Sequence, residues 1–325
     1  MAAGNTSLST LMQAADLVRV GLAGSIRDYA FTSYLDVGTK LSDIDYGGQS
    51  AGNVSQPGEV VNDVENHDNQ TLFDINVYKV PLSTSREDRV RVQILGAAIT
   101  AFSQGVAYFH AGVETLRSRS MDGNSYDSGD WFNRLDWTFG DNYFASGVPP
   151  RGDNGSNYAL IKPLLRNAAI KQTGADIALA RDMFSDLLKI RASTTLLRLR
   201  TADDIKARLK FYNTGSMQNP VLLVGHIDLA NYPGAGFREL IYFVNVDKAS
   251  HELVLSAEKG KPYALHPVHL ASAAADKRVA AQARYDASTG SLTVPARTPW
   301  FMWSIDVCNR SRKSPKCVSR IVQWC

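Results

Sequence analysis

The stretch Val61-Asn62-Asp63-Val64-Glu65-Asn66-His67-Asp68-Asn69-Gln70-Thr71-Leu72-Phe73-Asp74 decides the interpretation of the chain. A strand-like lead over residues 59–64 runs into a dense polar loop. A barrel strand delivers chemistry in this way, because the strand is buried and its carboxyl end opens into a site. His67, Asp68 and Asn69 offer an imidazole, a carboxylate and an amide, which suit sugar hydroxyls and a developing positive charge. Taken alone, such a triplet is more often an ordinary polar loop or a helix cap.

A β/α repeat continues from this stretch. Ser85 and Asp88 form a capping-box pattern at the start of a helix, whose apolar residues then recur at 3.6-residue spacing. Gly105 is placed to end that helix, and the apolar run 106–109 predicts a short buried strand. The order strand, loop, helix, strand, loop puts both polar loops on one face of a parallel sheet.

The second polar loop carries a further group of candidate residues. Asp130 and Arg134 are four residues apart, so they can present a carboxylate and a guanidinium side by side to one sugar. The alternative for this pair is a surface ion pair of about 0–1 kcal/mol. Trp131 offers an apolar platform for a sugar face, with core packing as its alternative. His110 and Glu114 are expected to support the site.

The pattern of the chain changes near Thr195. Residues 141–172 are predicted as loop, and a helix capped by Thr173 and Asp176 follows them. Beyond Thr195, short alternating or apolar segments are separated by turns, which is typical of an antiparallel β-sandwich. The predicted strands are 209–212, 221–224, 240–246, 252–255, 263–266 and 291–294.

Composition excludes several classes of protein. The chain has 325 residues, 44% of them hydrophobic, so it can bury a large core. The formal net charge of +3 gives no reason to propose nucleic acid, and no apolar run approaches the ~20 residues of a membrane span. The N-terminus lacks the pattern of a secretory signal. The four histidines after residue 220 have a spacing that suits no metal site: His226, His251, His266 and His269.

The end of the chain differs from the part before it. Residues 307–325 carry five basic and no acidic groups, and all three cysteines lie there: Cys308, Cys317 and Cys325. The folded body therefore needs no disulfide framework, and the cysteine spacing does not predict zinc. A misjoined end and a genuine tail are both compatible with this segment.

The stretch 64–74 resembles the fourth conserved region of the α-amylase superfamily, in the form carried by pullulanases and plant limit dextrinases (glycoside hydrolase family 13). Three segments in the right order support this resemblance: 108–112, 116–118 and 127–134. The resemblance extends from about residue 15 to about residue 298. It implies the C-terminal portion of a (β/α)8 barrel over 1–192 and a β-sandwich domain over 193–305, followed by the atypical tail 306–325.

The resemblance also implies two carboxyl groups that the chain lacks. Retaining glycosidases need a nucleophile and a general acid/base about 5–5.5 Å apart. In this superfamily they come from barrel strands upstream of the Asp68 motif, the nucleophile within a Gly-Phe-Arg-Phe-Asp type sequence. The nearest match, Gly236-Phe237-Arg238-Glu239-Leu240, lacks the aspartate. A complete barrel takes about 250 residues, which is more than the 192 residues that precede the predicted sandwich. We therefore expect a fragment that is inactive alone. Asp63 is expected to be a costly buried carboxylate in a strand.

By this resemblance, Asp68 is the transition-state stabiliser, and His67, Asn69, Asp130, Arg134 and Trp131 bind substrate. The implied reaction is retaining hydrolysis of α-1,6-glucosidic linkages in pullulan, amylopectin or limit dextrins by a monomer without a cofactor. Calcium is common in the superfamily, but no ligand cluster indicates it. The source is expected to be bacterial or plastid, with the targeting region missing. A non-catalytic α-glucan-binding polypeptide and a remnant that does not fold are the alternatives.

Overall fold

The computed structural model describes residues 7–228 and 232–304. The helices are α1 (Leu8–Leu22), α2 (Leu72–Lys79), α3 (Arg86–Phe102), α4 (Asp130–Asn133), α5 (Arg151–Asn154), α6 (Tyr158–Leu165), α7 (Gly174–Ala192), α8 (Ala202–Arg208), α9 (Pro267–Leu270) and α10 (Lys277–Gln282). The strands are β1 (Ala30–Thr32), β2 (Gly38–Lys40), β3 (Asp45–Tyr46), β4 (Gln49–Ser50), β5 (Val61–Asn62), β6 (Val106–Ala107), β7 (Leu209–Tyr212), β8 (Leu222–Asp228), β9 (Glu239–Asn245), β10 (His251–Val254), β11 (Tyr263–Leu265), β12 (Arg284–Asp286), β13 (Ser291–Val294) and β14 (Thr298–Ser304). None of the helices in these ranges has the length and apolar character needed to cross a bilayer. The predicted tail 306–325 and its cysteines lie outside the described residues.

The two long helices predicted from capping patterns are confirmed. The Ser85 hydroxyl accepts a hydrogen bond from the Asp88 amide, and α3 buries the apolar stripe that its spacing predicts. Thr173 and Asp176 form a reciprocal capping box at the start of α7. Helix α3 ends at Phe102, three residues before the predicted stop at Gly105. These helices pack against each other and hold the first hydrophobic core.

The β/α repeat around the two polar loops is present, but its strands are short and open. Strand β5 pairs in parallel with β6, with Val61 opposite Val106, and α2 and α3 lie between them in the chain. The prediction of buried strands is wrong at these positions, because Val61 is 59% and Val106 48% exposed. Within the described residues the two strands pair only with each other, so no neighbouring strand covers them.

The prediction of loop over residues 141–172 is wrong for part of that segment. Helix α6 runs from Tyr158 to Leu165 and contains Pro163, which removes a backbone donor and usually disfavours a helix interior. The helix forms because it buries Ile161 and Leu164 on one face. Burial of that apolar face therefore overrides the local signal of the proline.

The C-terminal part of the described chain is built from two antiparallel sheets. One has the strand order β11-β14-β9-β8-β7 and the other β10-β13-β12. All six strands predicted from the alternation pattern are present within a few residues of their expected bounds. The buried residues of the two sheets form a second hydrophobic core, which includes Val224, Phe243, Leu292 and Trp300. The described chain thus has mixed helix and sheet content and contains no closed barrel.

One hydrophobic core joins the helical part to the larger sheet. The ring of Phe102, at the end of α3, lies 4.3 Å from Phe301 of β14 and 5.5 Å from Tyr242 of β9, measured between ring centroids. All three side chains are fully buried. The sheets are therefore packed against the helices that carry the polar loops.

Candidate functional site

The loop after β5 presents His67 and Asp68 to solvent. Nε2 of His67 lies 3.6 Å from Oδ1 of Asp68, and their side chains are 82% and 69% exposed. The Asp68 amide donates to Oδ1 of Asn66 over 2.8 Å, which fixes the turn before the carboxylate. Asn69 has a φ of 56°, a left-handed conformation that asparagine tolerates better than most residues. The predicted triplet is therefore accessible and ordered by its own turn.

Arg119, from the second loop, holds the backbone of this triplet. Its Nη1 donates to the carbonyl oxygens of His67 and Asn69 over 2.8 and 3.1 Å. The side chain is buried, so these bonds to a charged donor are protected from water. One guanidinium thus fixes the residues on either side of Asp68.

A buried glutamate forms a second link between the loops. Oε1 of Glu65 lies 2.8 Å from Nδ1 of His110, three residues after the end of β6. Its other oxygen accepts the Leu72 amide at the start of α2 over 2.7 Å. That contact satisfies one of the free donors of a helix N-terminus. His110 therefore supports the first loop from the second, as predicted from the sequence.

Asp74 of α2 organises the second loop. Its carboxylate accepts from the Ser118 hydroxyl (2.5 Å) and from the amides of Arg119 (2.8 Å) and Met121 (3.2 Å). Complete burial raises the pKa of Asp74 to about 6, although these donors oppose the shift. Asp74 and Arg119 together connect α2, the second loop and the first loop in one chain of hydrogen bonds.

Asp130 and Arg134 do not form the surface ion pair that was the alternative interpretation of their spacing. Within the described residues the two side chains form no ion pair, and the guanidinium lies between two rings. It is 4.1 Å from the Trp131 ring centroid and 3.9 Å from that of Tyr143. Two cation–π contacts together are more favourable than one exposed ion pair. Asp130 remains exposed at the start of α4.

Trp131 is not a core residue, so core packing, the alternative role considered for it, is wrong. It is 54% exposed, and its Nε1 donates to the Ser146 carbonyl over 3.1 Å.

Nor is Asp63 the buried carboxylate that was expected. It is exposed and follows the end of β5, so it carries no large desolvation cost. Among the described residues, no hydrogen bond or ion pair joins the His67–Asn69 triplet to the Asp130–Arg134 group.

The prediction that the late histidines lack metal-ligand geometry needs qualification at His226. His226, Glu239 and Glu258 each offer one atom that could bind a metal ion, and these three atoms lie within 4.8 Å of one another. Nζ of Lys261 is 2.8 Å from both glutamates, so an ammonium already supplies the positive charge. The Tyr212 hydroxyl donates to Oε1 of Glu258. The Tyr263 hydroxyl lies within hydrogen-bond distance of Oε2 of Glu239 and Oε2 of Glu258, the same two oxygens that contact Lys261. The donor set fits a buried ion-pair network better than a metal.

An open groove lies elsewhere on the molecule. It has a volume of about 680 Å³ and is formed between β1 and β7, with Tyr29, Lys206 and Tyr212 among its lining residues. None of the predicted site residues contributes to it. His67, Asp68 and Asn69 are instead exposed in the loop that follows β5.

Comparison with known sequences decides the family. A family model for the C-terminal region of pullulanase-type α-1,6-glucosidases matches residues 139–302. The chain belongs to the pullulanase-type α-1,6-glucosidase family. It is 37% identical over 296 residues to pullulanase 1 of Arabidopsis thaliana, a chloroplastic protein, and 34% identical over 295 residues to a pullulanase of Klebsiella pneumoniae. These matches cover 89% and 90% of this chain.

Solved structures agree with the family. The structure of a maltotriose complex of PulA from Klebsiella pneumoniae matches with a TM-score of 0.85 at 32% identity, over 93% of this chain and 32% of that chain. The sequence matches cover 30% of the Arabidopsis protein and 26% of the Klebsiella protein. The chain therefore spans less than a third of the length of these pullulanases.

The residues that support the candidate site were harder to identify from the sequence than the exposed residues of the site itself. Glu65 and Asp74 lie inside the opening motif, yet nothing in their spacing shows that they face inward. Arg119 directly follows the motif segment 116–118, and its two carbonyl partners are about 50 residues away. Tyr143 lies nine residues after Arg134. Only the folded arrangement of the loops brings these partners together.

Proposed function

We propose that this chain forms the C-terminal part of a pullulanase-type debranching hydrolase that cleaves α-1,6-glucosidic linkages with retention. Its substrates are pullulan, amylopectin and limit dextrins. The observation that carries the proposal is the joining of two polar loops at the carboxyl ends of a parallel strand pair, within a chain of the pullulanase family. Active sites on parallel α/β scaffolds form at that end of the strands.

The proposed domain division follows the same scheme. Residues 1–192 form the last part of a (β/α)8 barrel, and residues 193–305 form a β-sandwich domain. The parallel β5–β6 pair and its crossover helices support the first assignment. The second hydrophobic cluster, which lies wholly within residues 222–302 and draws on both antiparallel sheets, supports the other.

Asp68 is the proposed transition-state stabiliser. It is exposed beside the His67 ring, so it is available as an anionic acceptor for sugar hydroxyls and a developing oxocarbenium charge. His67 donates to hydroxyls of the same sugar, and Asn69 shapes the site beside it. The nucleophile and the acid/base must be supplied by carboxyl groups outside this sequence, so the chain alone is proposed to be inactive.

Asp130, Arg134 and Trp131 bind the adjoining glucose units. Because Arg134 is held between two rings, its position is fixed before substrate arrives, which lowers the entropic cost of binding. The maltotriose complex of the Klebsiella relative supports an α-glucan as the ligand. The alternative proposal is an α-glucan-binding polypeptide that performs no hydrolysis.

A chimera separates the two proposals. The corresponding part of the Arabidopsis pullulanase is replaced by this chain, and hydrolysis of pullulan is measured. We expect activity that falls about 10²–10³-fold in Asp68→Asn, because one charged stabiliser is lost. A folded chimera that binds maltotriose but leaves pullulan intact would favour the binding polypeptide. Hydrolysis by the isolated chain would contradict the proposed catalytic roles.

A further inference from the structure

A rigid turn follows Arg134 and is built around one carboxylate. Asp136 accepts hydrogen bonds from the Thr138 amide (2.8 Å), the Thr138 hydroxyl (2.5 Å) and the amides of Gly140 and Asp141 (both 2.8 Å). The bond from the Thr138 hydroxyl and the three amides lower the pKa of Asp136 to about 2. At neutral pH the turn therefore keeps its full set of hydrogen bonds.

This turn is fixed to the rest of the molecule at two points. Before the turn, Nη2 of Arg117 donates to the Asn133 carbonyl over 2.5 Å. Within the turn, the Phe139 ring packs against the first hydrophobic core and lies 5.0 Å from the Arg181 guanidinium. The residue between these anchors, Trp137, is 62% exposed. The fold thus holds a large apolar side chain outward on a well-supported turn.

The neighbouring tryptophan is arranged differently. One face of Trp131 is covered by the Arg134 guanidinium, and its Nε1 is engaged with Ser146. Trp131 therefore has a restricted surface to offer to a sugar. Trp137 is three residues after Arg134, so the two Cα atoms are at most about 11 Å apart. It lies within reach of a ligand that extends beyond the Asp130–Arg134 group.

We propose that Trp137 is an additional α-glucan contact, whose indole stacks on a glucose unit beyond those bound at Asp130 and Arg134. This inference rests on the proposed function of that group as a glucan site. An indole offers a broad, rigid apolar face with little conformational entropy to lose, which suits the C–H face of a pyranose ring. Trp137 thereby favours longer α-glucan chains over short ones.

The test compares two oligosaccharides on the isolated chain by titration calorimetry. Maltotriose reports on the Asp130–Arg134 group, and maltohexaose also reaches Trp137. We expect maltohexaose to bind about three- to tenfold more tightly than maltotriose, and Trp137→Ala to remove most of that ratio. Trp137→Phe should keep part of it, because it retains an aromatic face. The affinity for maltotriose should change less than about twofold in both variants.

Tyr126 provides the matched control, because it is 84% exposed in the same loop. Tyr126→Ala should leave the ratio of the two affinities unchanged. An unchanged ratio in Trp137→Ala, or an equal loss in Tyr126→Ala, would overturn the inference while leaving the glucan site in place. Failure of a cooperatively folded wild-type chain to bind either sugar would instead overturn the proposed glucan-binding role of the Asp130–Arg134 group, and the inference with it.

Discussion

Buried charges serve different purposes in the two parts of the molecule. Around the polar loops, the buried groups bond largely to backbone: Glu65 to the Leu72 amide, Asp74 to two amides of the second loop, and Arg119 to two carbonyls of the first. In the antiparallel sheets, the buried glutamates bond to side chains. Glu239 and Glu258 share Lys261, and both also lie within hydrogen-bond distance of the Tyr263 hydroxyl.

This difference follows from the kind of backbone that each part contains. Sheet strands satisfy their amides and carbonyls through pairing, so a charge buried beside them must find another side chain. A long loop leaves backbone donors and acceptors unpaired, and a buried charge can satisfy several of them at once. The charges near the site therefore determine where the exposed residues point, whereas those in the sheets hold neighbouring elements together.

The largest expected effect comes from breaking the network in the sheets. Glu258→Gln removes a fully buried charge that accepts from Lys261, Tyr212 and Tyr263. We expect a loss of about 3 kcal/mol in the free energy of unfolding, because the ammonium loses half of its compensation. Urea unfolding followed by circular dichroism measures this loss.

A double variant tests whether the loss arises from the charge. Glu258→Gln combined with Lys261→Met removes both partners, so the combined loss should be smaller than the sum of the two single losses by about 1 kcal/mol or more. Simple additivity would show that the two groups do not act as a pair.

The next effect is a dependence of stability on pH in the sheet region. Burial lowers the pKa of His269 to about 4 and that of His266 to about 3, where His269 adds a smaller repulsion. The unfolded chain then binds protons below about pH 6.5 that the folded chain does not. Stability should therefore fall by about 1.5 kcal/mol per histidine as the pH drops from about 6.5 to about 5.0.

Substitution assigns that loss to the sheet region. His269→Gln keeps an acceptor for the Phe301 amide but does not titrate, so its stability should fall less over the same range. Asp74, near the site, acts in the opposite direction. Its pKa is raised in the fold, so its contribution is present below about pH 4 and is lost as the pH rises through about 6. Identical pH profiles for the wild type and His269→Gln would contradict the assignment.

Regular elements were largely predictable because their signals are local. The cap at Ser85 and the strand alternation from Leu209 onward act over a few residues, and the structure follows both. The prediction failed where the outcome depends on distant neighbours. Helix α6 forms despite Pro163 because other elements cover its apolar face, and β5 is exposed because no third strand of the described chain lies beside it.

The candidate site shows the same limit. The displayed residues, such as Asp68 and Arg134, were found through motif resemblance, and their roles stay predictions. The residues that position these side chains could not be identified from the motifs. Spacing of four residues predicted an ion pair with Asp130, but Tyr143 and Trp131 hold the Arg134 guanidinium instead. Contacts with groups far along the chain outweigh the local pairing.

The smallest expected change in global stability comes from the site side of the comparison. Arg119→Met removes the donor to the His67 and Asn69 carbonyls, and we expect a loss of about 1–2 kcal/mol. The first loop should respond more strongly, because its backbone loses its main support. Amide hydrogen exchange over residues 66–72 should become about tenfold faster, while exchange in β8 and β9 should stay unchanged. Arg119→Lys, which keeps the charge and one donor group, should give an intermediate rate. Faster exchange in the sheets with no change in the loop would show that Arg119 supports the whole fold, and the contrast between the two regions would then not hold at this residue.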